Sequence, residues 1–338
     1  MKIIDSKMKK LANIVLCTTL ITLVSCNEYD FDQEQFKKEV NLLSNNELVY
    51  DRQVATLRPE GDTIFLVAGL SGSQPSIEPY TVGILESDSL LKAYNKSNFD
   101  IEKDRFAKLL PTECYTFPNM QMEIAAGTSK VHFPVHLKSL EKLSPDTIYF
   151  LDYKIDSLKT WNYNPKKRHV LLRIHRKNNY ATTKENTFYN YTSSTVVIPK
   201  ADGSAEVRRP TNANRVFPLT QTSVRLLAGD EDMGDYKKAL NNINKKSIAL
   251  EIGKQLPENP LSNELIIKPY KTIDVVQLTP IGEYDNTYLL NIIKTPDGRA
   301  TYYKEFRLHY KYRIESTDLY REVKAKLRFE FNPRADKL

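Results

Sequence analysis

Few side chains in this 338-residue chain stand at spacings that do chemistry. The nearest to a metal pair is His132-Phe-Pro-Val-His136. On a helix, two histidines four apart share a face and can chelate. Pro134 and the alternation around it predict a strand instead. At about 3.3 Å per residue the two rings then stand roughly 13 Å apart, too far for one zinc ion. The acidic run Asp230-Glu231-Asp232-Met233-Gly234-Asp235 invites a calcium reading. A calcium loop of the helix-loop-helix type needs a glutamate at its twelfth position, where this chain has Asn241, so a solvated turn is expected. No G-x-S-x-G stands in the chain, and no S-x-x-K stands in a supporting context. Two carboxylates for glycoside hydrolysis could come from distant strands, so spacing alone does not rule on them. The expectation is a protein that is not an enzyme and uses no metal and no cofactor.

Sugar binding asks for less. The C–H face of a pyranose stacks on flat aromatic rings, while amides and charged groups hydrogen-bond its hydroxyls. Three stretches offer that mixture: Trp161-Asn-Tyr163-Asn, Asn178-Asn-Tyr180, and Phe188-Tyr189-Asn-Tyr191. Trp161, the single tryptophan, and Tyr163 are the first candidates for a glycan site. Tyr180, Tyr189 and Tyr191 follow. Each has a plainer reading, since a tryptophan at a domain joint can be packing and tyrosine is a strand former. The rival ligand is apolar. The row Tyr302, Phe306, Leu308, Tyr310 and Tyr312 lies on one face of a strand and could line a barrel cavity, or be plain core.

The first thirty residues address the chain to a membrane. Lys2, Lys7, Lys9 and Lys10 precede a 14-residue apolar run, Leu11 to Val24. That run is too short to span a bilayer core, which takes about 20 residues, and it suits a secretory leader over residues 1–25. Leu23-Val24-Ser25-Cys26 resembles the bacterial lipobox. The resemblance implies that Cys26 is lipidated and becomes the first residue of the mature chain. Each buried methylene contributes about 0.8 kcal/mol, so two or more acyl chains hold stably. The acidic Asn-Glu-Tyr-Asp-Phe-Asp after Cys26 resembles the surface-export signal of Bacteroidetes lipoproteins, which implies the outer membrane and its cell-surface leaflet. Of three cysteines, Cys17 leaves with the leader and Cys26 is the anchor. Cys114 remains alone, so the mature chain can form no internal disulfide, and a small buried role is expected for it. The formal charge of +7 falls to +4 once the leader's four lysines and one aspartate are gone. No Lys/Arg block tracks phosphates, and nucleic acid is not an expected partner. Lys166-Lys167-Arg168 reads as a solvated turn.

The elements that must position these residues are strands. Residues 26–45 form a charged tether. Strand-like runs follow at Glu47–Leu57, Asp62–Gly69, Tyr80–Glu86, Tyr115–Phe117, Gln121–Ala125, Val131–Leu137 and Thr147–Ile155, interrupted by helical pieces at Ser87–Tyr94 and Ile101–Leu109. This spacing predicts a β-sandwich over 46–157. A joint near Ser157–Pro165 leads to a second domain over 158–338. Its long strands end in Thr301–Glu315 and Tyr320–Phe331, with Tyr302, Lys304, Phe306, Leu308, Tyr310, Tyr312 and Ile314 on an inner face. Tyr303, Glu305, Arg307, His309, Lys311, Arg313 and Glu315 lie on the wet face. Asp202-Gly203 and Asp297-Gly298 mark hairpins, and a helical insert is expected at Gly234–Ile243. The fold class is all-β: an Ig-like sandwich, then an antiparallel barrel or a second sandwich.

Specific residues also carry a family resemblance. Tyr94-Asn95, Leu110-Pro111, Tyr115, Ala126-Gly127 and Tyr149 through Ile155 follow the order of an Ig-like domain of unknown function in Bacteroidetes. The last element departs, with Phe-Leu-Asp-Tyr where that domain has a proline. From about residue 160 the chain resembles the second, lipocalin-like domain of two-domain members, through Phe306–Tyr312 and the final hairpin. The resemblance implies a non-catalytic surface lipoprotein of a polysaccharide-utilisation system, capturing glycan beside an outer-membrane transporter. Some relatives are described as lipid binding. The alternatives are therefore a carrier of a lipid or other apolar molecule in the barrel, or a structural, partner-binding subunit. No site residue is transferred by this resemblance.

Overall fold

A computed structural model describes residues 34, 36–234, 238–294 and 296–333. The leader, Cys26 and most of the tether lie outside the described residues. The chain is all-β in two domains. The first contains β1 (Val40–Leu42), β2 (Val49–Tyr50), β3 (Val54–Thr56), β4 (Asp62–Leu70), β5 (Tyr80–Glu86), helix α1 (Ser89–Phe99), β6 (Lys108–Leu109), β7 (Tyr115–Thr116), β8 (Gln121–Ile124), β9 (Lys130–Leu137), β10 (Tyr149–Ile155), β11 (His169–Arg173) and β12 (His175–Lys177). One sheet runs β1-β4-β9-β7, and the facing sheet runs β2-β11-β10-β5-β8 with β6 beside β10.

Alternation builds the sandwich. In β9, Val131, Phe133, Val135 and Leu137 turn inward while His132 and His136 stay outside. They meet Val82, Ile84, Leu151, Tyr153 and Leu172 from the other sheet. Strand β10 is buried on both faces, because α1 lies over its outer side and places Leu91 against Phe150 and Leu171. Tyr94-Asn95 has a clear job there. Tyr94 packs edge-on to Phe150 with centroids 5.0 Å apart. The Asn95 amide donates to the Ala107 carbonyl (2.9 Å) and accepts from the Ala107 N–H (2.8 Å), which fixes the return of the chain.

Two local expectations fail. Glu47–Leu57 is two short strands in different sheets, not one. Ile101–Leu109 is a single 3-10 turn at Lys103–Arg105 followed by β6, because residues 108–109 pair with β10. The first core also draws on residues beyond the Ser157–Pro165 joint. Strands β11 and β12 pair with β10 and β3, so the first core continues to Ile174.

The second domain contains β13 (Phe188–Pro199), β14 (Ala205–Arg208), β15 (Ala213–Arg215), β16 (Phe217–Pro218), β17 (Ser223–Leu227), helix α2 (Ala239–Lys246), β18 (Ser247–Leu256), β19 (Asn259–Pro269), β20 (Asp274–Gln277), β21 (Thr287–Lys294), β22 (Ala300–Arg313) and β23 (Arg321–Phe331). They form one sheet in the order β14-β13-β23-β22-β21-β19-β18-β17-β16, with β15 on β13 and β20 on β22. Both Asp-Gly pairs sit in the hairpins expected of them, β13–β14 and β21–β22, with positive φ at Gly203 and Gly298.

The sheet curls but its ladder does not close, so the lipocalin-like barrel is corrected to an open sheet. The seam is spanned by the stretch 213–218, whose first half pairs with β13 and second half with β17. The Asn214 side chain stands in for a missing peptide there, donating to the Leu227 carbonyl at 2.8 Å and accepting from its N–H at 3.3 Å.

The inner row of β22 is core. Phe306, Tyr310 and Tyr312 are fully buried, and Tyr189 stacks on Phe306 at 4.8 Å. The opposite face is not uniformly wet, as alternation implied. Glu305 is fully buried, held by Arg307, Arg328 and Asn291. His309 is covered by the 279–286 segment, with Nδ1 2.6 Å from the Thr279 carbonyl and Nε2 3.0 Å from Glu322.

Candidate ligand-binding cleft

The sequence candidates separate into three places. Trp161 is 85% exposed on the first domain. Its neighbour Asn162 adopts φ 59°, accepts the Val40 N–H at 2.9 Å and donates to the Lys38 carbonyl. Tyr163 packs on the first core beside Val40. These contacts stitch the 161–164 turn to β1 and leave the indole on an open surface.

Tyr189 and Tyr191 serve the second core, which corrects their assignment to a glycan site. Tyr189 is fully buried and spends its hydroxyl on the Tyr180 carbonyl at 2.9 Å. The Tyr191 hydroxyl donates to the Gly229 carbonyl and accepts from the Asn214 amide at 3.0 Å; burial pushes its pKa up to about 12. The acidic run is likewise structural. Glu231 meets Arg321, Lys246 and the Tyr312 hydroxyl, and Asp230 meets Arg208. Cys114 is buried as expected, and burial raises its thiol pKa.

Tyr180 alone stands in a cleft. The cleft has a volume of about 730 Å³ and lies where the two domains meet, within the range of pockets that hold small ligands. Its floor is the turn 178–187 between β12 and β13. Buried Asn178 builds that turn. Its Oδ1 accepts from the N–H groups of Tyr180 and Ala181 at 2.9 Å each, and its amide donates to the Thr220 (2.7 Å) and Ser223 (2.9 Å) carbonyls of the second domain. Thr183 holds the far side through reciprocal bonds with the Arg176 backbone. The geometry forces the following residues outward, so Asn179, Lys184, Glu185 and Asn186 are exposed.

The walls combine apolar and polar groups. Tyr180 rests edge-on against Tyr288, centroids 5.0 Å apart, and Phe329 completes an aromatic side. Burial raises the pKa of Tyr180, so the phenol stays neutral. Lys304 is buried, bonds the Asn179 carbonyl and sits 4.7 Å from the Phe331 centroid. Val54, Thr56 and Arg58 form the first-domain wall. Among the described residues no protein partner takes the side-chain amides of Asn179 or Asn186, or the Arg58 guanidinium. Glu185 is the one carboxylate in the lining, whereas glycoside hydrolysis uses a pair. Sequence reading missed Asn186, Arg58 and Phe329. A signal for Asn186 was present, because Asn178 and Asn186 bracket one short turn between strands.

Comparison with known proteins places this architecture. A domain-family model for an N-terminal domain matches residues 34–160, and one for a C-terminal domain matches 168–328. No curated protein matches. Among solved structures, a Bacteroides ovatus protein of unknown function aligns over 91% of this chain and 96% of its own, with TM-score 0.61 and 15% identity. A second from the same organism, also of unknown function, covers 86% and 94%, with TM-score 0.62 and 16% identity. An auxiliary nutrient binding protein from Bacteroides thetaiotaomicron covers 85% and 94%, with TM-score 0.60 and 16% identity. At these identities the likeness is one of fold. The chain shares its whole two-domain plan with Bacteroides proteins of unknown function.

Proposed function

We propose that this protein captures a glycan, without chemical conversion, in the cleft between its domains, and that it does so from the cell surface while held to the outer membrane by lipid on Cys26. The observation that carries the reading is the cleft's mixture of Tyr180 and Phe329 with unengaged amides at Asn179 and Asn186. Aromatic faces suit the C–H side of a sugar, and amides suit its hydroxyls. The single lining carboxylate favours binding over hydrolysis. The nutrient-binding description of one relative with the same fold points the same way. An outer-membrane transporter is the partner that would receive the captured glycan. The apolar-carrier reading loses its supporting feature, because Phe306, Leu308, Tyr310 and Tyr312 of the β22 row are packed core. The test is a glycan array probed with the chain lacking residues 1–26. Binding to a defined set of oligosaccharides is expected, and binding to none contradicts the reading. A Trp161→Ala protein that keeps its array signal places the site in the cleft and not on the exposed indole.

A further inference from the structure

A second, smaller space of about 310 Å³ also lies between the domains, and its chemistry differs from that of the cleft. Strand geometry assembles it. Arg215 and Phe217 are two apart on the 213–218 stretch and share a face, and Arg225 is the cross-strand partner of Phe217. Both guanidinium carbons consequently stand 4.3 Å from the Phe217 ring centroid. The first domain supplies Arg173, His175 and Arg176 from consecutive strands β11 and β12.

Three guanidiniums, those of Arg173, Arg176 and Arg215, thus line a space with one carboxylate, Asp146, and a fourth, Arg225, stands behind Phe217. That carboxylate is already committed to Arg225 through Oδ1 at 2.7 Å. Arg176 is 2% exposed, and among the described residues its guanidinium bonds only the neutral carbonyls of Leu140 (2.8 Å), Leu143 (3.0 Å) and Ser144 (2.9 Å), which solvate its charge without balancing it. The guanidiniums of Arg173 and Arg215 have no hydrogen-bond or ion-pair partner among the described residues. His175 is 4% exposed, lines the space, and its Nε2 has no hydrogen-bond partner among the described residues. Burial and then the adjacent Arg225 both weaken the hold of Arg215 on its proton, as expected of a cation among cations. Buried charge is stable when paired, and guanidinium forks match the two oxygens of a carboxylate or sulfate.

We propose that this pocket, framed by Arg173, His175, Arg176 and Arg215, binds an oxyanion, the carboxylate or sulfate group of a ligand. The site is distinct from the amide-lined cleft and does not depend on the glycan reading. The probes are sodium sulfate, sodium glucuronate, glucose and sodium chloride, titrated into the full chain in detergent at matched ionic strength while the thermal midpoint is followed. A saturable rise with sulfate or glucuronate, absent with glucose and chloride, is the expected result, and the stronger of the two identifies the source of the oxyanion. Arg215→Gln and Arg173→Gln each raise the apparent dissociation constant tenfold or more. Arg215→Lys keeps the charge and loses the fork, so it weakens binding by less, and it carries the test where the glutamine variant does not melt cooperatively. Asn179→Ala/Asn186→Ala leaves the response unchanged. No saturable rise, or an equal rise in the Arg173 and Arg215 variants, overturns the proposal.

Discussion

His175 shows how burial turns a common side chain into a pH-dependent element. Removal from water, then repulsion from Arg173, lowers its pKa from 6.5 to about 4. In the unfolded chain the same ring takes its proton near 6.5. The folded protein therefore holds His175 neutral while the unfolded chain becomes charged, and stability drains away as pH falls from 6.5 toward 4. Replacing His175 with Gln removes that titration, so urea midpoints measured between pH 7 and 4 are expected to fall less steeply than those of the native chain. An unchanged slope contradicts this assignment. The same physics explains why chemistry-bearing residues were hard to place from sequence. Tyr189, Tyr191 and Glu231 look available in a string of letters, yet each spends its polar atom inside the second domain.

Elements were more legible than their partners. The alternation in β22 and β23 marks two long strands, and the two pair from Tyr302–Phe331 to Tyr312–Arg321. Their inner row was correct because burial on one face follows directly from a period of two. Their outer row was not, since Glu305 is covered by Arg328 and Asn291 and His309 by the 279–286 segment, which come from elsewhere in the chain. Barrel closure failed for a similar reason. It depends on whether the last strand edges meet, and here a six-residue stretch and one amide span the seam. Asn214 is buried and makes three side-chain bonds, to Leu227 N, Leu227 O and the Tyr191 hydroxyl. Asn214→Ala leaves those groups without partners. A loss of about 1–3 kcal/mol is expected from the cost of unsatisfied buried polar groups, read as a lower urea midpoint. Amide exchange should rise along β15 and β17 first. Uniform exchange across the sheet would contradict a local seam.

At the level of the molecule, two separate cores meet across a polar boundary. The buried Arg225–Asp146 pair and the Asn178 amide cross it, and both spaces lie along it. The 178–187 turn connects the domains and also floors the cleft, so the link is part of the binding surface. Its exposed amides were half visible in the sequence, where Asn178-Asn-Tyr180 was singled out. The contributions of Arg58 and Phe329 were invisible, because they lie more than a hundred residues apart in the chain. The proposed attachment rests on Cys26 at the end of the leader. Cys26→Ala removes the thiol that would carry lipid, and the protein is expected to leave the membrane fraction; retention there unchanged would contradict lipid anchoring.

The most direct measurement is electrophoresis through gels containing the polysaccharide chosen by the glycan array, using the chain without residues 1–26. The native protein is expected to be retarded, and Asn179→Ala/Asn186→Ala to migrate at least ten times less sensitively to polysaccharide concentration, with its thermal midpoint preserved. Equal retardation of both proteins would contradict a binding site in the cleft between the domains.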